Sequence, residues 1–101
     1  MKVNKEYYEN FEYQGRKVYT LEKVDEKVGA YRSVFGEKWF ELETEEEIGV
    51  ITESDCRASW NRYFNATFFY NGEWKKLCTR ADYSKAVQML LNAYKAEKAQ
   101  A

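Results

Sequence analysis

The sequence predicts an α+β domain, in which an antiparallel β-meander of five or six strands carries a long C-terminal amphipathic helix packed on one face. Turn residues recur at fairly even spacing through the first three quarters, near Gly15, Gly36 and Asn71-Gly72, with β-prone runs on either side. After Thr79 the apolar period changes from two to about 3.6. The 101 residues amount to one domain's worth, with no internal repeat, low-complexity tract or linker, so residues 1–101 are read as a single domain.

Residues 4–13 fit two readings: a short helix capped by Asn4, with Tyr7, Tyr8 and Phe11 on one side, or a first strand. Phe11 to Val24 reads as two β-prone runs around Gln14-Gly15, and Ala30 to Leu42 reads the same way around Gly36. Between Thr52 and Phe64, the i, i+4 spacing of Cys56, Trp60 and Phe64 favours a short helix at 54–62 over a loop running into a strand. The clearest signal is Asn71-Gly72 between ATFFY and EWKKL. Both central positions of a type I′ turn need φ > 0, which Asn and Gly reach at least cost.

A two-residue turn there sets a register. Phe69 faces Trp74, Thr67 faces Lys76 and Asn65 faces Cys78 on one side, while Phe68 faces Lys75 and Ala66 faces Leu77 on the other. The second side, with Phe64, Ala66, Phe68 and Leu77, is apolar apart from Lys75 and suits packing under the helix. The first side, with Tyr63, Phe69, Trp74, Lys76 and Arg80, mixes aromatics and cations as binding surfaces do. Thr79 with Asp82 resembles a capping box, and Tyr83, Val87, Leu90, Leu91 and Tyr94 then share one helical face. This helix is expected to run for about twenty residues and to fray after Tyr94, where KAEKAQA offers no apolar anchor.

Composition removes several function classes. There is no histidine, hence no side chain with an unperturbed pKa near neutrality, no Ser-His or Cys-His pair and no imidazole ligand. The five glycines are isolated turn residues rather than a phosphate-binding loop. Cys56 beside Asp55 and Arg57, and the pair Glu53 and Asp55, lack a third orienting group. No enzyme activity and no cofactor are expected. Cys56 and Cys78 have no CxxC partner and read as small buried hydrophobes; in an exported chain they would be free to bridge, and Asn65-Ala66-Thr67 would be a glycosylation sequon. The N-terminal stretch MKVNKEYYENFEY has no apolar core of a signal peptide, and no run approaches the ~20 apolar residues of a membrane span. A cytoplasmic location without membrane contact is expected.

The charge of -1 is unevenly placed: residues 1–36 net +1, residues 37–55 net -7 and residues 56–101 net +5. The acidic run ELETEEE, with Glu41, Glu43, Glu45, Glu46 and Glu47, lacks the spacing of a calcium loop, so no metal site is expected. It presents carboxylates that pair with Lys and Arg as phosphates do, or else it is a solvated turn of helix capped by Thr44.

The leading expectation is a non-enzymatic binding protein that occupies a site on another macromolecule, most directly a protein partner, through Tyr63, Phe69, Trp74, Lys76, Arg80 and the Glu41 to Glu47 run. Small cofactor-free chains of this style include the phage and plasmid inhibitors of host defence or nucleic-acid-processing proteins, among them anti-CRISPR and anti-restriction proteins. The alternative is a nucleic-acid-binding module in which Lys75, Lys76 and Arg80 meet phosphates while Phe69 and Trp74 stack on bases. A homodimer burying the Phe69/Trp74 face is the third possibility.

Overall fold

Eight strands and two helices follow from these patterns in a computed structural model that describes residues 1–54 and 62–100. In chain order they are α1 (Lys5–Asn10), β1 (Glu12–Tyr13), β2 (Arg16–Lys17), β3 (Thr20–Asp25), β4 (Val28–Ser33), β5 (Gly36–Glu41), β6 (Glu47–Glu53), β7 (Phe64–Tyr70), β8 (Glu73–Ala81) and α2 (Tyr83–Gln100). Strands β3 to β8 form one antiparallel sheet in sequential order, and β1 pairs with β2 separately. The α+β meander with a C-terminal helix on one face is therefore the observed architecture.

Helix α2 lies across the face on which Ala30, Trp39, Ile51, Ala66 and Phe68 are buried, and contributes Ala86, Leu90 and Tyr94 to that core. Fully burying a side chain such as Leu90 contributes about 1.5 to 3 kcal/mol. Gly49 makes the close approach of α2 to the sheet possible. A Cβ there would collide with the Thr67 carbonyl oxygen and stand 2.7 Å from Leu90 Cδ1.

The other face is covered over only part of its width, by the N-terminal segment. Asn4 Oδ1 accepts from the Tyr7 N–H at 3.1 Å and starts α1, so the helical reading of the first residues is the one adopted. The Val3 N–H donates to the Glu45 carbonyl and the Glu47 N–H to the Met1 carbonyl, pinning the N-terminus to the β5–β6 turn. Tyr31 is then sandwiched, with ring centroids 5.1 Å from Tyr8 and 5.3 Å from Phe40. Strand β4 is buried on both faces from Val28 to Tyr31 for this reason.

Several sequence expectations need correction. The Gln14-Gly15 turn does form, with both residues at positive φ, but its strands are two residues long and stand apart from the main sheet. Tyr19 is drawn instead into the aromatic cluster of α1, 4.8 Å from Tyr8, and β3 begins only at Thr20. The turn at Glu26-Lys27 joining β3 to β4 carries no Gly, Pro or Asn signal.

Across Asn71-Gly72, at φ 50° and 78°, Phe69 does pair with Trp74, Phe68 with Lys75 and Thr67 with Lys76. Beyond Thr67 the register slips: Ala66 pairs with Cys78, not Leu77, and Phe64 with Ala81. Asn65 is accordingly not opposite Cys78. Two β-bulges absorb the extra residues of β8. At the second, Arg80 adopts φ 55° while its N–H donates to Asn65 Oδ1 at 3.2 Å.

Thr79 is a strand residue and caps nothing, because β8 continues to the buried Ala81. The first backbone bond of the helix runs from the Ala86 N–H to the Asp82 carbonyl. Helix α2 has about the expected length, 18 residues. It runs to Gln100, with Lys95 3.9 Å from Asp25 and Lys98 3.1 Å from Glu41 in place of apolar anchors. The helix expected at 54–62 falls largely outside the described residues.

Candidate partner-binding face

Strand alternation sends Ala66 and Phe68 toward α2 and leaves Thr67 and Phe69 on the opposite face. There, Phe69 and Trp74 meet across the hairpin with ring centroids 4.8 Å apart at 54°, a tilted contact that avoids the unfavourable face-to-face sandwich. Trp74 stays 46% exposed although it is one of the largest side chains in the protein. Lys38, three strands away on β5, reaches to 4.9 Å from the indole ring. Its ammonium also stands 3.5 Å from Glu47. A cation over the ring and an aromatic beside it restrict the orientations open to the indole.

The register explains how these residues come together. Lys38 pairs with Val50, Val50 with Thr67 and Thr67 with Lys76, making one continuous row across four strands. The floor of the face is thus small and β-branched. Lys76 is exposed and has no carboxylate partner among the described residues. On the side toward the N-terminus, Tyr8, Tyr19 and Phe35 form a wall, and between them and Val50 and Thr52 lies a concavity of about 110 Å³. Burial, followed by the neighbouring Tyr19 and Glu47, pushes the Tyr8 hydroxyl up to about 12, so this wall stays uncharged at neutral pH.

Of the residues singled out in the sequence, Phe69, Trp74 and Lys76 are brought together here. Tyr63 is half-buried at the far end of the strand, where its carbonyl accepts from the Ser54 N–H at 2.7 Å. Arg80 is exposed at that same end, within the second bulge. Lys75 belongs to the helix side, its ammonium 4.7 Å from the Tyr70 ring. The cations of β8 are therefore split between two faces. Lys38, Val50 and Thr52, and the wall of Tyr8, Tyr19 and Phe35, were not singled out. Alternation alone would have set Lys38 opposite Trp39, but nothing local could show that residues 8, 19 and 35 converge.

The acidic run occupies the turn between β5 and β6, and most of it is engaged within the chain. Glu41 accepts from the Tyr94 hydroxyl at 2.5 Å and from Thr44 at 2.7 Å, and pairs with Lys98 at 3.1 Å. Burial alone would raise the Glu41 carboxyl, but these donors outweigh it and hold it below its ordinary range. Glu45 pairs with Lys5, Glu46 with the N-terminal ammonium and Glu47 with Lys38. Glu43 is exposed and has no ionic partner among the described residues. Thr44 lies inside a turn closed by the Glu45 N–H on the Glu41 carbonyl, rather than at a helix cap.

Two clefts flank the end of α2. The larger, about 600 Å³, is bounded by Asp25, Glu41, Tyr94, Lys95 and Lys98, whose charges pair across it. The smaller, about 320 Å³, brings Phe69 and Asn71 together with Glu46, Glu47 and Glu97. Carboxylates thus border the aromatic face at its turn end. Cys78 is a free thiol, half-buried against the core, while Cys56 lies outside the described residues. No helix among the described residues is long and apolar enough to cross a membrane. In comparisons with known proteins the chain matches no family model, no curated protein and no solved structure.

Proposed function

We propose that the chain is a non-enzymatic binding protein that occupies a site on another macromolecule, and that the partner is a protein. The observation that carries this reading is the restrained indole: Trp74, nearly half exposed, held between Phe69 and Lys38 on a sheet face that the N-terminal segment leaves open. Exposed aromatics fixed beside cations are the residues on which protein interfaces concentrate their energy. Supporting the non-enzymatic part is the sequence itself, without histidine and without a phosphate-binding loop.

One feature favours a protein over a nucleic acid. A strand of phosphates needs a continuous basic track beside its stacking platform, whereas Lys75 and Lys76 lie on opposite faces. The functional class that fits is the small inhibitor of phage or plasmid type, acting on a host defence or nucleic-acid-processing protein in the manner of anti-CRISPR and anti-restriction proteins. The test is affinity capture from a host lysate with wild type and Trp74→Ala side by side. A protein retained only by wild type supports the proposal. Salt-sensitive capture of nucleic acid in its place sinks it.

A further inference from the structure

We infer that the occupant of the open face is an acidic, extended protein segment bearing an apolar anchor. This rests on the binding-protein reading above and names the chemistry of its partner. The first ground is charge. The carboxylates nearest the face are engaged by cations of the chain itself: Glu47 by Lys38 at 3.5 Å, and Glu46 by the N-terminal ammonium at 2.8 Å. Lys76 and Arg80 have no such partner among the described residues, so the unspent charge along β8 is positive. Complementary potentials select an acidic partner.

The second ground is shape. The face is a shallow trough, with Val50 and Thr52 as floor and aromatic residues on both sides, Tyr8, Tyr19 and Phe35 on one and Phe69 with Trp74 on the other. The concavity beside Tyr8 and Val50, about 110 Å³, equals the liquid volume of roughly four waters. That admits one aliphatic or aromatic side chain, not a helix. An extended strand sends alternate side chains to opposite faces, so one residue enters the concavity while its acidic neighbours meet Lys76 and Arg80.

The probe is a fluorescein-labelled peptide with a central Phe flanked by short Glu runs, compared with its Gln-for-Glu counterpart and with labelled oligothymidylate, by fluorescence anisotropy. The Glu peptide is expected to bind at least about tenfold tighter than the Gln peptide and the oligonucleotide, and Lys76→Glu to weaken it about tenfold. Equal binding of the two peptides, no binding of either, or tighter binding of the oligonucleotide overturns the inference. Lysate capture separates the two levels. A protein lost with Trp74→Ala but retained equally by wild type and a Lys76→Glu/Arg80→Glu variant leaves the binding function standing and removes the acidic partner. If Trp74→Ala changes nothing, both fall.

Discussion

Phe69 and Trp74 face one another across the Asn71-Gly72 turn with ring centroids 4.8 Å apart, yet the indole remains 46% exposed. A pair of this kind on the outside of a sheet contributes about 0.5 to 1.5 kcal/mol to the hairpin. Trp74→Ala is therefore expected to lower unfolding stability by no more than about 1.5 kcal/mol in urea titrations. Partner binding should fall much further, by about 2 kcal/mol or more, as at interface hot spots. Two measurements on one variant thus separate a structural pair from a binding pair.

Gly49 sits where α2 comes nearest the sheet, with Leu90 against it. Gly49→Ala is expected to destabilise by about 2 kcal/mol or more, since neither the Thr67 carbonyl nor the fully buried Leu90 has room to move. A shift of the urea midpoint at unchanged slope checks this.

The hydrogen bond from Tyr94 to Glu41 ties α2 to the end of β5. Tyr94→Phe should cost about 2 kcal/mol, because the acceptor is a charged, largely buried carboxylate. The pH dependence has a definite sign. Glu41 titrates below its ordinary value of 4.5 in the fold, so its contribution is complete above that value and disappears as pH falls through the depressed folded one. Stability of the wild type should therefore drop between about pH 6 and about pH 3.5, and Glu41→Gln should remove part of that drop. Urea titrations at both pH values give the comparison.

Arg80 adopts a left-handed backbone at φ 55° without being glycine. Arg80→Gly is expected to stabilise the fold by about 1 kcal/mol, the relieved strain exceeding the added flexibility of the unfolded chain. Asn65→Ala, which removes the acceptor of the Arg80 N–H, should destabilise by about 1 kcal/mol. Thermal midpoints moving in opposite directions would confirm that this bulge is a stored local strain.

Most of the fold was legible in the sequence because its signals were local. Asn71-Gly72 set the hairpin turn and the pairing as far as Thr67, and the change of period after Thr79 announced α2. What escaped depended on distant contacts. The bulges on either side of Ala66 carry no turn residue to announce them, and the ion pairs that hold the last turns of α2 come from Asp25 and Glu41, which meet Lys95 and Lys98 from far along the chain. The site was legible in the same proportion. Phe69, Trp74 and Lys76 emerge from strand parity, whereas Lys38 reaches Trp74 only once β5 to β8 are laid side by side. The acidic run read as a surface because its partners, Lys5, the N-terminus and Lys98, are remote in sequence.

The most direct test of the binding face is affinity capture from a host lysate with wild type, Trp74→Ala and Glu43→Gln, each first shown to be folded by circular dichroism. A protein retained by wild type and Glu43→Gln but lost with Trp74→Ala is the predicted result. Equal retention by all three, or recovery of nucleic acid alone, would contradict it.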